Sequence, residues 1–100
     1  MVESLIENIH REDLTPTEKG KFCLKIMREE KIVDINRLSE RVNKPRNEVD
    51  NWVDDYKFRK KYRDIKSDHT ILRATKSLPE NERKEVIKFA EEKWKYKLKN

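Results

Sequence analysis

DINRLSERVNKPRNEVDNWVDDY, running from Asp34 to Tyr56, is the stretch on which the fold of this 100-residue chain turns. Ile35, Leu38 and Val42 recur at i, i+3 and i+7, and Val49, Trp52, Val53 and Tyr56 repeat the pattern. The stretch therefore predicts two short amphipathic helices, each with one apolar stripe. Asp34 is a residue type that caps a helix by accepting a backbone N–H, Asn43 tolerates the left-handed conformation at a helix C-terminus, and Pro45 suits a first helical turn. So short a connection folds the two helices against each other as a helix-turn-helix. Two helices of this length bury too little apolar area alone, so their stripes need a third surface.

That surface is expected upstream. Thr15 as cap, Pro16 at the first helical position and Glu18 at the third spell a capping box. A helix from Pro16 to about Lys31 should follow, with Phe22, Cys23, Ile26 and Met27 as its apolar stripe. Downstream, Ser67 is expected to cap a short helix carrying Ile71, Leu72 and Thr75. Pro79 opens a last helix with Val86, Ile87, Ala90, Trp94 and Leu98 on one side. The expected fold class is all-α: a small helical domain with a helix-turn-helix, followed by a C-terminal helical hairpin. The hairpin is expected to pack on its own chain, although Trp94 on a Lys-rich helix leaves a homodimer open.

Composition agrees and sets limits. With 34% hydrophobic and 45% charged residues, one Gly and three Pro, the chain has material for a modest core and little for hairpins. No apolar run approaches the roughly 20 residues that span a bilayer, and MVESLIENIH has neither the basic region nor the apolar block of a signal peptide. A cytoplasmic chain without membrane contact is expected. Cys23 stands alone on an apolar stripe, which predicts a buried thiol rather than a disulfide or zinc ligand. His10 and His69 lack a Cys or second His at ligand spacing, so no metal is expected. With no Gly-rich phosphate loop and no nucleophile beside an evident base, neither a catalytic role nor a cofactor is expected.

Charge is unevenly spread. Residues 1–58 carry 11 basic and 13 acidic side chains, net −2, while residues 59–100 carry 14 and 7, net +7. The densest basic patch comprises Lys57, Arg59, Lys60, Lys61, Arg63 and Lys66, around Phe58 and Tyr62 and directly after the second helix of the motif. A helix-turn-helix offers the first residues of its second helix to a DNA major groove, and basic side chains beside it suit phosphates. Arg46 and Asn47 are the expected base readers. Asn51 is a further candidate, Asp50 can accept from a cytosine amino group, and Lys44 with the Lys57–Lys66 patch would hold phosphates. Against this stand Glu48, Asp50, Asp54 and Asp55, four acids on the helix that would approach a polyanion.

Two motifs together resemble a known family. Glu7-Asn8-Ile9-His10-Arg11, followed by Glu12-Asp13-Leu14-Thr15-Pro16-Thr17-Glu18, looks like the ENxxRxDLxPxE segment of ParB and KorB partition proteins. Arg37 to Asn51 is similar in register to their xLAxxVGKSxxxVxN helix-turn-helix, with Ser39 for the small Ala, Asn43 for the turn Gly and Pro45 where Ser is common. The resemblance implies a DNA-binding module of a centromere-binding protein that recognises a palindromic site as a dimer and works with a partition ATPase on the nucleoid or a plasmid. It also implies that Glu7, Asn8 and Arg11 descend from a motif that helps hold a nucleotide and its metal. Residues 1–14 are then the remnant of a preceding nucleotide-binding segment, 15–66 the DNA-binding core and 67–100 the hairpin. Without a preceding phosphate-binding segment in this sequence, no cofactor site is expected from these three residues. Two other readings stay open: a helix-turn-helix transcriptional regulator, and a helical protein-interaction domain whose acidic second helix faces a protein.

Overall fold

The computed structural model describes the backbone of residues 2–99 and the side chains of residues 2–93. Six helices follow one another, α1 (Val2–Ile9), α2 (Pro16–Glu30), α3 (Ile35–Val42), α4 (Arg46–Lys61), α5 (His69–Ala74) and α6 (Glu80–Lys99), with no strand among the described residues. The fold is all-α, as the sequence predicts.

The local signals act where they stand. The Thr15 hydroxyl accepts the Glu18 N–H at 3.2 Å, and the Glu18 carboxylate accepts the Thr15 N–H at 3.4 Å, closing the capping box of α2. Asp34 accepts the Asn36 N–H at 3.2 Å and caps α3. Asn43 ends α3 in the left-handed region, φ 56° and ψ 52°, and lets the chain turn within three residues into α4. Lys31 ends α2 the same way, φ 54°, so that the N–H of Ile32 reaches back to the Met27 carbonyl at 2.9 Å. The Ser39 hydroxyl donates to the Asn36 carbonyl of its own helix at 2.7 Å and stays buried at the α3 crossing.

The first core joins α1, α2, α3 and α4. Cys23 and Ile26 of α2, Leu38 and Val42 of α3, and Val49, Trp52 and Val53 of α4 are buried together with Ile9 and Ile32. Phe22 and Met27 pack on this cluster, half-buried. The α2–α4 crossing is close because residue 20 is glycine. A Cβ placed there would lie 2.0 Å from the Trp52 carbonyl oxygen, 2.7 Å from its carbon and 2.9 Å from Tyr56 Cβ. The segment ahead of α2 thus enters the core physically: Ile9 is fully buried, and the His10 ring Nε2 donates to the Val42 carbonyl at 2.7 Å, tying the end of α1 to the end of α3.

Four local expectations differ from the structure. The second helix of the motif does not end near Tyr56 but continues to Lys61, because Phe58 turns from the first core to a second one with Leu72 and Ile87. Pro45 precedes α4 rather than opening it: its ψ of 140° is extended, its carbonyl accepts the first helical bond from Val49 at 3.1 Å, and Arg46 is the first helical residue. The cap of α5 is Asp68, which accepts the Thr70 N–H at 3.0 Å, while the Ser67 hydroxyl donates to Glu91 of α6. On α6, Ile87 is buried whereas Val86 faces out, 43% exposed, since the inward register runs through Arg83 and Ile87. Trp94 and Leu98 fall outside the residues whose side chains are described.

Candidate nucleic-acid interface

The turn from α3 to α4 presents Lys44, Arg46, Asn47 and Glu48, the first half-buried and the others exposed. Neither Arg46 nor Asn47 forms a side-chain hydrogen bond or ion pair with a described residue. No side chain caps α4, so the N–H groups of its first turn are left for solvent or for a phosphate oxygen. Leu38, Val42 and Val49 lock α3 to α4 and fix where this turn points.

The other acids of α4 are matched from within the chain. Asp55, 2% exposed, accepts from the Thr17 hydroxyl of α2 and from the Arg59 Nε at 2.8 Å, all on one carboxylate oxygen. Asp54 receives both prongs of the Arg83 guanidinium from α6, at 3.0 and 2.6 Å. That guanidinium also lies 4.1 Å from the Phe58 ring centroid and donates to the Leu72 carbonyl at 2.8 Å and the Thr75 hydroxyl at 3.3 Å. Asp50 receives the ammonium of Lys76, from the turn between α5 and α6, and the same ammonium donates to the Asn51 carbonyl oxygen at 2.9 Å. A charge of low exposure needs such partners, because desolvation otherwise disfavours it by several kcal/mol. Of the four acids, Glu48 alone has no such partner among the described residues.

The basic patch divides in two. Arg59 is turned inward, donating to Asp55 and to the Ser67 carbonyl, and so joins α4 to the chain before α5. Lys61 pairs with both oxygens of Glu80 at 2.9 Å, which raises the lysine and lowers the glutamate from their ordinary pKa values through the hydrogen bond between them. Lys57 and Arg63 are exposed and unpaired among the described residues, and Lys60 is exposed over the Tyr56 ring. Lys66 is exposed too, with its backbone N–H donating to Glu91. Lys57 and Lys60 lie on α4 itself, and Arg63 and Lys66 on the loop behind it, so the free cations follow α4 away from Arg46.

No hydrogen bond or ion pair joins the side chains of Glu7, Asn8 and Arg11 among the described residues. Arg11 pairs with Asp13 at 2.6 Å, lowering the Asp13 pKa mainly through that hydrogen bond, while Glu7 is exposed and Asn8, in the last turn of α1, accepts the Arg11 N–H at its backbone carbonyl. Burial pushes the Cys23 thiol up to about 12. Among the described residues no cluster of three or more His, Cys, Asp or Glu could hold a metal, and no helix is long and apolar enough to cross a membrane.

Sequence reasoning missed Lys76 and Arg83. Arg83 carried a faint signal, a charge on the inward register of α6 four residues before Ile87. Lys76 carried none. Comparison of the chain with protein-family models, with curated proteins and with solved structures gave no match in any of the three.

Proposed function

We propose that this chain is a sequence-specific DNA-binding module of the ParB-like partition type. The first turn of α4 enters a major groove, and Lys44, Lys57, Lys60, Arg63 and Lys66 meet flanking phosphates. One observation carries the reading: three of the four acids on α4 are matched by Lys76, Arg83 and Arg59, while Arg46 and Asn47 at its exposed beginning are unengaged among the described residues. A polyanion approaching the start of α4 meets Lys44 and Arg46 beside the single unmatched acid Glu48, with Asp50 already paired one turn further on. Arg46 can fork onto the N7 and O6 acceptors of guanine, and Asn47 has the donor and acceptor that adenine requires. Glu48, the unmatched acid, repels phosphate and so penalises DNA that offers it no donor.

The partition role itself rests on the resemblance of residues 7–18 and 37–51. It implies a palindromic site, a second copy of the chain and a partition ATPase as partners. The pairing of Asp50, Asp54 and Asp55 takes away the acidic surface on which a basic protein partner would dock, which favours DNA over that alternative.

The test is selection of duplexes from a randomised pool, followed by fluorescence anisotropy on the selected duplex as salt is raised. Five phosphate contacts give a log–log salt slope of about −4.5, at about 0.9 per phosphate. Arg46→Ala should flatten the preference at one base position, and Lys60→Ala should weaken every duplex alike and reduce the slope by about 0.9. A selected site that survives Arg46→Ala unchanged would refute the role given to α4. Binding that ignores salt would refute the reading as a whole.

A further inference from the structure

The ammonium of Lys76 sits between two side chains that are adjacent on α4, one oxygen of the Asp50 carboxylate and the side-chain carbonyl oxygen of Asn51. Their places are one helical turn beyond Arg46 and Asn47, on the same side of α4. An ammonium only donates, so the oxygen of Asn51 must face it and the amide NH2 must point away. The carboxylate of Asp50 is neutralised on one oxygen, Oδ2, and keeps the other to accept a bond. Lys76 and Asp50 are both partly exposed, their side chains at 31% and 39%, so the cluster lies at the surface rather than in the core.

We propose that Lys76 is a positioning residue for specificity: it fixes Asn51 as a donor-only reader and removes the bidentate preference for adenine at the base pair beneath it. This rests on the DNA reading given above. Bidentate recognition of adenine needs an oxygen to accept from N6 and an NH2 to donate to N7 in one plane, and Lys76 turns that oxygen toward itself, out of that plane. What remains is an NH2 that suits the O6 or N7 of guanine and the O4 of thymine, and that gains only a single bond from the N7 of adenine. Lys76 also removes the charge that would otherwise set Asp50 against the phosphates. A residue outside the helix-turn-helix, in the turn between α5 and α6, thereby sets which base a residue inside it accepts.

The experiment is duplex selection and sequencing with the wild-type chain, Lys76→Arg, Asn51→Ala, and Lys76→Met combined with Asp50→Ala, each checked for helix content and thermal unfolding. The Asp50→Ala change keeps loss of the ammonium from leaving a bare carboxylate and adds no amide that could itself read adenine. The double variant should turn one position of the selected site from guanine or thymine toward adenine by about 5- to 150-fold, the range for one good bidentate pair, and leave the positions read by Arg46 and Asn47 alone. Lys76→Arg keeps the donors and should keep the wild-type order, and Asn51→Ala should flatten that same position. A merely structural Lys76 would lower the unfolding temperature and overall affinity without reordering bases at one position. If the wild type selects a site through Arg46 but the double variant or Asn51→Ala leaves the base order unchanged, the proposal is overturned and the DNA reading stands. If the wild type selects no site, both fall.

Discussion

Replacing Gly20 by Ala tests the packing on which the geometry of α4 depends, because two known effects oppose each other in sign. In a solvent-facing helix position the change would stabilise by about 1 kcal/mol, since Ala is the better helix former. Here the added Cβ would meet the Trp52 carbonyl oxygen at 2.0 Å and two further atoms of α4 under 3.0 Å. Ordinary contact needs more than 3 Å, so α2 and α4 must part by about 1 Å. Two of the three atoms are backbone, which cannot swing aside as a side-chain tip can. Overpacking of this kind costs about 3 kcal/mol at the upper end of its usual range, and a gap of that size also forfeits up to about half of the dispersion energy along the seam. Cys23, Ile26, Val49, Trp52 and Val53 line that seam. The net expectation is a loss of about 2 kcal/mol, a fall in Tm of about 8–16 °C for a domain of this size. Thermal unfolding followed by circular dichroism at 222 nm, with a urea titration beside it, reads both quantities. An unchanged or raised Tm would refute the close approach of α2 to α4.

Asp54→Ala should cost about 3 kcal/mol in urea unfolding, because it strands the Arg83 guanidinium, whose side chain is 6% exposed. Combining it with Arg83→Met should recover much of that loss in a double-mutant cycle. Lys31→Gly should raise Tm by several degrees, since a non-glycine residue at φ 54° carries strain of about 1 kcal/mol that glycine does not. A fall in Tm would show that the Lys31 side chain contributes more than its backbone costs. Cys23 should resist iodoacetamide in the native state and react readily in urea. Its folded thiol titrates at about 12 against an ordinary 9.0, so the associated stability is present below pH 9 and is lost as pH rises from there toward 12. Rapid native alkylation at pH 8 would contradict the burial of α2.

Much of the fold was legible because its signals are local. Thr15, Pro16 and Glu18 make one cap, Asp34 and Asn43 bracket one helix, and the spacing of Cys23 and Ile26 marks one face, each within a span that the chain itself holds rigid. The helix ends that went astray did so where a distant contact intervened. Phe58 extends α4 because α5 and α6 give it somewhere to be buried, and Ser67 leaves the cap of α5 to Asp68 because Glu91 of α6 takes its hydroxyl. Gly20 shows the same division: its isolation in mid-helix was visible, but the carbonyl that requires it lies 32 residues away at Trp52.

For the candidate interface the division is sharper. Residue types and periodicity determined that α3 and α4 form a turn with Arg46 and Asn47 at its front, and that basic residues follow. Tertiary structure alone decided which charges are free. Arg59 and Lys61 read as members of one basic patch yet are spent on Asp55, Ser67 and Glu80, while the acids at Asp50 and Asp54 are matched by Lys76 and Arg83, 26 and 29 residues further along. Helical periodicity follows from backbone geometry that is the same in every helix, so sequence carries it. Charge pairing depends on which side chains the packed helices bring within about 3 Å, a distance that exists only once the chain has folded.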